Sequence, residues 1–485
     1  MKRKWMAVMI LSALLTGAGS TYVGMMYFKS DDVQIKDRSG KSNLLESVKN
    51  NGNSLPDLAK IAQAFDLIKG SYIEKVDESK LVEGAIQGMV STLNDPYSVY
   101  MDANTASQFN DSLDSSFEGI GAEVTIKDGK ILIVAPYKNS PAEKAGLKPK
   151  DQIIKIDGIN VEGFDLYQAT TKIRGKKGTT VTLEIKREGV IDPLQFEVKR
   201  DEIPMDTVFS NMKHEGSKSI GYIEITQFSK NTADDFKLEL SKLEKQKMDG
   251  LIIDVRGNPG GFLLSVQKIL DVLVTNHKPY FQIQQRDGEK LPYYSKLTQN
   301  KPYPIVVLVD EGSASASEIL AGALKEAEGY TLIGEKTFGK GTVQEAVSMG
   351  DGSTIKLTMF KWLTPNGNWI HHKGITPNIE IKQPDYFYIH PLEVRKTIFL
   401  DMNNDQVKIA QQMLEGLGYA TGRNDGYYDT KTERAVKAFQ NQVQLPATGE
   451  IDTKTAQLLE EEITTAIKDE KNDLQLQVAL KYFNK

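Results

Sequence analysis

The chain has 485 residues, 40% of them hydrophobic and 26% charged, a balance that excludes wholesale disorder and at ~100–200 residues per domain allows roughly three or four domains. Lys and Arg number 60 against 65 Asp and Glu, so the formal charge is −5 and nothing supports nucleic-acid binding, which shows a basic excess. The absence of cysteine excludes disulfides, thiolate metal sites and a cysteine nucleophile, and with five histidines no metal and no cofactor is expected.

Lys2, Arg3 and Lys4 precede an uncharged, mainly apolar run from Trp5 to Phe28. At a rise of ~1.5 Å per residue it is long enough to span a bilayer, with the basic flank inside and the rest of the chain outside the cytoplasm. Residues 1–28 therefore read as a membrane anchor or a signal peptide. Small residues at Gly17, Ala18, Gly19 and Ser20 suit a signal peptidase, whereas apolar residues continuing to Phe28 favour an uncleaved anchor. Residues 29–42 are polar and read as a tether.

Residues 43–110 show helical spacing, with Leu58, Ile61, Ala62, Phe65 and Ile68, then Leu81, Ala85, Ile86 and Met89, each on one face. Asn94-Asp95-Pro96 ends that pattern with turn chemistry. Residues 111–200 switch to short β runs, such as Ile131–Ala135, Ile153–Ile156 and Val181–Ile185, with one helix over 164–173. From 201 to 390, strands alternate with helices. Apolar runs at 220–226, 251–255 and 305–309 suit buried strands, and helices fall around 231–247 and 262–274, an α/β core. A small helical module follows over 395–465, and residues 466–485 form a helix or tail with Leu476, Leu480 and Phe483 on one face.

Within the β module, Phe117, Gly119, Ile120 and Gly121 precede an alternating strand. Glycines at this spacing let N–H groups converge on an anion such as a carboxylate, and the strand offers an edge to an extended peptide. Farther on, Ser140-Pro141-Ala142 leads through Ala145-Gly146-Leu147 to Asp151 and Asp157-Gly158. Together these stretches resemble a PDZ domain, with Lys150 standing where the bacterial pattern usually has Gly. The resemblance implies binding of C-terminal or unfolded peptide ends by strand addition, with the 164–173 helix as the far wall of the groove. Arg174, Lys176 and Lys177 follow that helix, either as solvated charge or as contacts to the core or to the peptide carboxylate.

Three segments of the α/β core carry chemistry-bearing residues. In Ser313-Ala314-Ser315-Ala316-Ser317-Glu318, Ser315 and Glu318 fit a capping box, so Ser315 either caps a helix or presents a nucleophilic hydroxyl at a helix N-terminus, where N–H groups can stabilise an oxyanion. In Phe338-Gly339-Lys340-Gly341-Thr342-Val343-Gln344, Lys340 and Gln344 share a face if the segment is extended. They are either loop surface residues or a lysine base, neutral through burial, whose amine the amide holds in place. In Asp254-Val255-Arg256-Gly257-Asn258-Pro259-Gly260-Gly261, the paired glycines allow close backbone approach to a substrate, and Asp254 and Arg256 suit holding the loop. His371 and His372 are adjacent, so a strand there would point them to opposite faces. A Ser-His-Asp triad stays open, although no G-x-S-x-G elbow surrounds the serine.

Taken together, the three segments resemble the carboxyl-terminal processing peptidases, or tail-specific proteases. Further matches are Gly84–Met89, Asp95-Pro96-Tyr97-Ser98, Leu363-Thr364-Pro365 and Gly374–Pro377. The resemblance covers roughly residues 45–385. It implies a crotonase-like serine peptidase core with Ser315 as nucleophile, Lys340 as base and Gln344 as its partner. It places one oxyanion donor at the Ala316 N–H and the second at Gly260 or Gly261.

In the helical module, Gly426-Tyr427-Tyr428-Asp429, Ala435-Val436 with Phe439-Gln440, and Gly449 with Asp452 resemble a peptidoglycan-binding module. This resemblance implies a walled cell, and a packing domain without glycan affinity is the other reading. The expectation for the whole chain is an α/β multidomain, extracytoplasmic Ser–Lys endopeptidase. It would be membrane-anchored, or secreted after signal cleavage, and would act on proteins with free or unfolded C-termini. The contrasting class is a non-catalytic scaffold that presents peptides or holds the cell wall. Apolar stripes at 43–93 and 474–483 suggest a homodimer or larger assembly.

Overall fold

The apolar runs that read as strands alternate between two buried faces, and that alternation sets the architecture. Leu251, Ile253, Ile305, Val307 and Val309 face one hydrophobic core, while Ile252, Val306 and Leu308 face another. A strand side chain changes face at every residue, so these segments are apolar throughout because each side is covered. A computed structural model describes residues 56–484 except 114–115, 128, 138–139, 149, 165, 188–189, 191, 390–391, 393 and 395. The expected membrane segment and tether lie outside the described residues. Among the described residues no helix is long and apolar enough to cross a membrane.

The chain is mixed α/β and multidomain. Its central sheet has six strands in the order Val208–Glu215, Lys218–Ile225, Gly250–Asp254, Ile305–Val309, Thr331–Gly334 and Ile379–Glu380. The first pair is antiparallel and the rest are parallel. Helices Thr232–Lys245, Leu263–Leu270 and Ala316–Glu328 supply Phe236, Leu240, Val266, Ile269, Leu320 and Leu324 to one core. The opposite face is covered by helix Leu474–Tyr482, through Leu476, Ala479 and Leu480, and by its C-cap Phe483. The C-terminal apolar stripe, read from sequence as a sign of assembly, thus belongs to the chain's own core.

A second, antiparallel sheet is built around the long strand Thr354–Leu363, which pairs with Thr342–Ser348, with Phe281–Gln284 and with Val99–Met101. The last pairing corrects the helical reading of residues 43–110. Three residues between helices Glu78–Ser91 and Ala103–Leu113 form a strand, a segment too short for periodicity to reveal. Its effect is to bring the Asp95–Ser98 turn onto the core, where Ser98 Oγ accepts from the Thr358 N–H at 3.0 Å. The helices Pro56–Ser71 and Glu78–Ser91 leave Leu58, Leu67, Val82 and Met89 exposed.

The PDZ domain is an antiparallel sheet in the order Ala122–Lys127, Lys130–Pro136, Gln152–Ile156, Thr180–Lys186 and Leu194–Lys199, with the short Ile159–Asn160 beside the third strand. Its local chemistry explains its signature. Ser140 Oγ caps helix Pro141–Ala145 by accepting from the Glu143 N–H, Pro141 begins the helix, and Gly146 ends it in the left-handed region. Lys150, in place of the usual Gly, holds φ at 70°, a conformation that disfavours a side chain by roughly 1 kcal/mol. Strand Ala122–Lys127 is a sheet edge, and helix Leu166–Ile173 packs beside it.

Downstream, helices Asp405–Gly416, Thr430–Gln442 and Thr453–Lys468 enclose Val407, Leu414, Tyr428, Val436, Phe439 and Leu459. Asn404, Asp429 and Asp452 cap the three N-termini with their side-chain oxygens.

Candidate active site

Ser315 sits where strand Ile305–Val309 turns into helix Ala316–Glu328. Its backbone adopts φ 55° and ψ −110°, a strained conformation for a residue with a side chain, costing on the order of 1–3 kcal/mol. The side chain is buried, at 2% exposure. Ala316 begins the helix, so its N–H is among those that helix geometry leaves without a carbonyl partner. A strand-to-helix turn with open N–H groups beside the hydroxyl can present a nucleophile as well as cap the helix. No G-x-S-x-G spacing accompanies this turn.

The double-glycine loop lies against this turn. A Cβ on Gly260, whose φ is +109°, would stand 2.9 Å from the Ser315 Cβ and 3.1 Å from the Ala316 nitrogen. Only glycine allows that approach. The two glycines are not equivalent as donors. The Gly260 N–H is already donated to Asn258 Oδ1 at 2.8 Å, which leaves Gly261 as the better candidate of the pair. Asn258 organises the loop further, since its backbone oxygen accepts from the Ala314 N–H at 3.0 Å and from Ser317 Oγ at 2.9 Å.

Lys340 is 1% exposed, and among the described residues its amine finds no hydrogen-bond partner. Burial lowers its pKa, and the nearby Lys356 lowers it further. Asp95 and Glu318 pull the other way, and the balance is about 7. Lys356, itself buried, falls to about 8 for the same first reason. The amine lies 4.8 Å from the centre of the Tyr97 ring. Burial also opposes ionisation of Asp95, but hydrogen bonds from Ser98, Thr358 and the Tyr97 N–H outweigh it and hold the carboxyl below its ordinary range. Gln344, fully buried, donates from Nε2 to Thr342 Oγ1 at 3.0 Å and to Thr358 Oγ1 at 3.1 Å. The Lys340 amine makes no hydrogen bond to the Gln344 amide, and Lys340 lies before strand Thr342–Ser348 rather than in it, so the shared facing expected of an extended segment does not apply.

Sequence reading identified Glu318 only as a cap. The structure makes it the joint of the site. Glu318 Oε2 accepts from the Ser315 N–H at 3.0 Å and from the Lys340 N–H at 2.8 Å. Its Oε1 accepts from Thr337 Oγ1 at 2.6 Å and from the Gly339 N–H at 2.7 Å. One carboxyl thereby pins the serine turn to the lysine loop. Burial pushes its pKa up, against those four bonds. Asp95 and Lys356 were likewise missed as electrostatic neighbours. The spacing of the Asp95–Ser98 match carried no hint of where it would fold.

The reading of His371 and His372 is corrected. They lie in a turn, not a strand, and their rings meet at 3.9 Å between centres, so they do not face opposite ways. His371 Nδ1 accepts from the Gly341 N–H at 3.2 Å, and its ring stacks on Trp369, holding it to the lysine loop's backbone.

Comparison with known proteins agrees with this geometry. Residues 219–381 match peptidase family S41, 119–199 a PDZ domain, 403–459 a putative peptidoglycan binding domain, and 14–105 the N-terminal domain of the activating protease CtpB. The chain is 55% identical over 481 residues to the carboxy-terminal processing protease CtpB of Bacillus subtilis, covering 99% of each chain. It belongs to the carboxy-terminal processing proteases. Against CtpA of the same organism this processing protease is 44% identical, covering 88% of its own length and 90% of the relative's. A probable CtpA-like serine protease of Staphylococcus haemolyticus is 37% identical, with 82% and 80% covered.

In the processing protease's PDZ domain, Phe117 and Gly119 lie in strand Ser116–Gly119, paired with Asp201–Pro204, while Ile120 is buried and Gly121 bonds onward to Tyr137. The Arg174 guanidinium lies 4.9 Å from the centre of the Phe117 ring. Both border a cavity of about 480 Å³ with Lys176 and Glu202. The sequence-derived peptide-binding residues therefore gather at one end of the edge strand, and the serine, the lysine loop and the glycine loop gather at another site in the core.

Proposed function

We propose that this protein is an extracytoplasmic Ser–Lys endopeptidase acting on free or unfolded protein C-termini. The observation that carries the reading is a buried lysine amine with no hydrogen-bond partner among the described residues, its pKa lowered by burial to about 7, on a loop that one carboxyl ties to a strained serine. In the reaction, Ser315 Oγ attacks the scissile carbonyl while the neutral Lys340 amine takes its proton. The Ala316 N–H and the Gly261 N–H receive the oxyanion. Collapse releases the new amine, which takes the proton back from Lys340, and leaves an ester on Ser315. Lys340 then deprotonates a water that attacks the ester carbonyl, and Ser315 Oγ leaves as it takes that proton from Lys340, releasing the acid product and restoring the enzyme. Gln344 positions the amine once the loop rearranges.

The lysine bonds neither Ser315 nor Gln344 in this structure, which supports a resting state converted to the working one by peptide binding. A peptide can shift such an equilibrium only through its greater affinity for the working form. Arg174 beside the Phe117–Gly121 nest is the proposed reader of the peptide carboxylate or of the core. The exposed stripe on the helices at 56–91 supports a homodimer, the run at 5–28 supports a membrane anchor, and the helical module supports contact with peptidoglycan. The test is incubation of residues 30–485 with an unfolded protein. Wild type cuts it and Ser315→Ala does not. Equal cleavage by both would sink the assignment of Ser315, and no cleavage by wild type would return the protein to the scaffold reading.

A further inference from the structure

The polypeptide leaves the catalytic core near Gln383, builds the helical module and returns at Asp469. On its return it does more than cover the sheet. Asp473 takes both arms of the Arg256 guanidinium, Nη1 to Oδ1 at 2.9 Å and Nη2 to Oδ2 at 2.8 Å, and Gln475 Oε1 accepts from Nη1 at 3.0 Å. The other flank of Arg256 is held by Asp254, with Nη2 to Oδ2 at 2.6 Å and Nε shared between both oxygens at 3.0 Å. Gln383 donates to Asp473 at 2.6 Å and accepts the Leu474 N–H at 3.0 Å, so the returning segment is fixed on both sides.

Arg256 stands at the root of the glycine loop. The next residue, Gly257, donates its N–H to Asp310 Oδ1 at 2.8 Å, on the turn that leads to Ser315. The one after it is Asn258, whose side chain bonds the Gly260 N–H and the Ile225 carbonyl and whose backbone oxygen holds Ala314 and Ser317. From Asp473 to Gly260 the link runs through the part-buried Arg256 pair, the backbone of residues 256–258 and the buried bond from the Gly260 N–H to Asn258, with the exposed Gly257–Asp310 bond beside it. A bidentate arginine–carboxylate pair fixes direction as well as distance. We propose that Asp473 is a positioning residue for the oxyanion loop, holding it through Arg256 from the segment that ends the helical module. The proposal rests on the peptidase reading above and adds to it a residue some 217 positions away in the chain from the loop it steadies.

The test uses the soluble enzyme with Asp473→Asn, which keeps the shape and removes the charge, together with Arg256→Ala and the double variant. The readouts are kcat, KM and the affinity for a peptide aldehyde, whose adduct with the serine places an oxyanion among the donors. For Asp473→Asn, kcat falls roughly tenfold, KM stays within twofold, and aldehyde affinity falls in parallel with kcat/KM, as expected when an interaction made mainly in the transition state is weakened. The double variant is no worse than Arg256→Ala alone. Circular dichroism checks folding, and Asp473→Glu, with the charge on a longer stem, serves the same comparison should Asp473→Asn not fold. Unchanged kcat and aldehyde affinity would overturn the proposal even if thermal stability drops. Inactive wild-type enzyme would instead overturn the peptidase reading.

Discussion

Removing Lys356 and removing the charge of Asp95 should move the pH dependence of cleavage in opposite directions. Lys340 titrates at about 7 because burial and the Lys356 charge outweigh the pull of Asp95 and Glu318. At pH 7 about half the enzyme then holds the neutral base, whereas a solvated lysine would be neutral in only about one molecule in three thousand. The log of kcat/KM in wild type should therefore rise with slope one and level off above a midpoint near 7, with activity at pH 6 roughly tenfold below the plateau. Lys356→Met deletes a like charge while keeping an apolar stem in the strand. A neighbouring charge worth about 1.4 kcal/mol changes the protonation ratio tenfold. The midpoint should rise, and for such a tenfold change in the ratio activity at pH 7 should fall about fivefold with the plateau preserved. Asp95→Asn deletes an attraction, so its midpoint should fall and activity at pH 6 should rise relative to wild type. The assay is kcat/KM for a fluorogenic peptide from pH 5 to 9.5 at constant ionic strength. Midpoints that move the same way in both variants, or not at all, would refute Lys340 as the titrating base.

Three further outcomes follow from the same contacts. Because the pKa of Lys340 is lower folded than unfolded, the unfolded chain binds more protons between about 7 and 10.5, so stability rises with pH in that window. Urea titrations should find Lys340→Met more stable than wild type at pH 7, by an amount on the order of a few kcal/mol that shrinks toward pH 10; a gap independent of pH would contradict a depressed pKa. Glu318→Gln weakens the joint between serine turn and lysine loop, and kcat should drop at least tenfold while helix content by circular dichroism is kept; a fully active Glu318→Gln enzyme would show the joint to be dispensable. Amidating a substrate's C-terminus should slow cleavage by wild type but make little difference to Arg174→Ala, and equal wild-type rates on both peptides would remove carboxylate reading by the PDZ domain.

Much of this architecture could be read before any coordinates, because its signals are local. Runs such as 251–255 and 305–309 announce strands covered on both faces, whereas the one-turn helix Pro141–Ala145 is hidden in a stretch that reads only as part of the PDZ signature. Ser315, Lys340 and Gly260 each stand in a short motif with its own chemistry, and the fold brings their segments together. What could not be read is whatever depends on distant segments meeting. Lys356 looks like any polar residue on an amphipathic strand until the turn at 95–98 closes over it. Glu318 advertises itself as a helix cap, yet its other bonds go to a loop some twenty residues on. The C-terminal stripe could equally have met a second molecule, and the sheet face that receives it is assembled from strands spread over more than a hundred residues.

That last arrangement also sets an order of events. Ile220 and Leu480 share one hydrophobic cluster, so the central sheet keeps a bare apolar face until the final helix has been made. During synthesis the strands at 208–254 and 305–334 must wait for the whole helical module to emerge before they are sealed. Contacts so far apart in the chain form late and slowly. The final turn of helix thus acts as a timer, and a chain cut short within the helical module would present its uncovered sheet to aggregation before it could present a substrate to its serine.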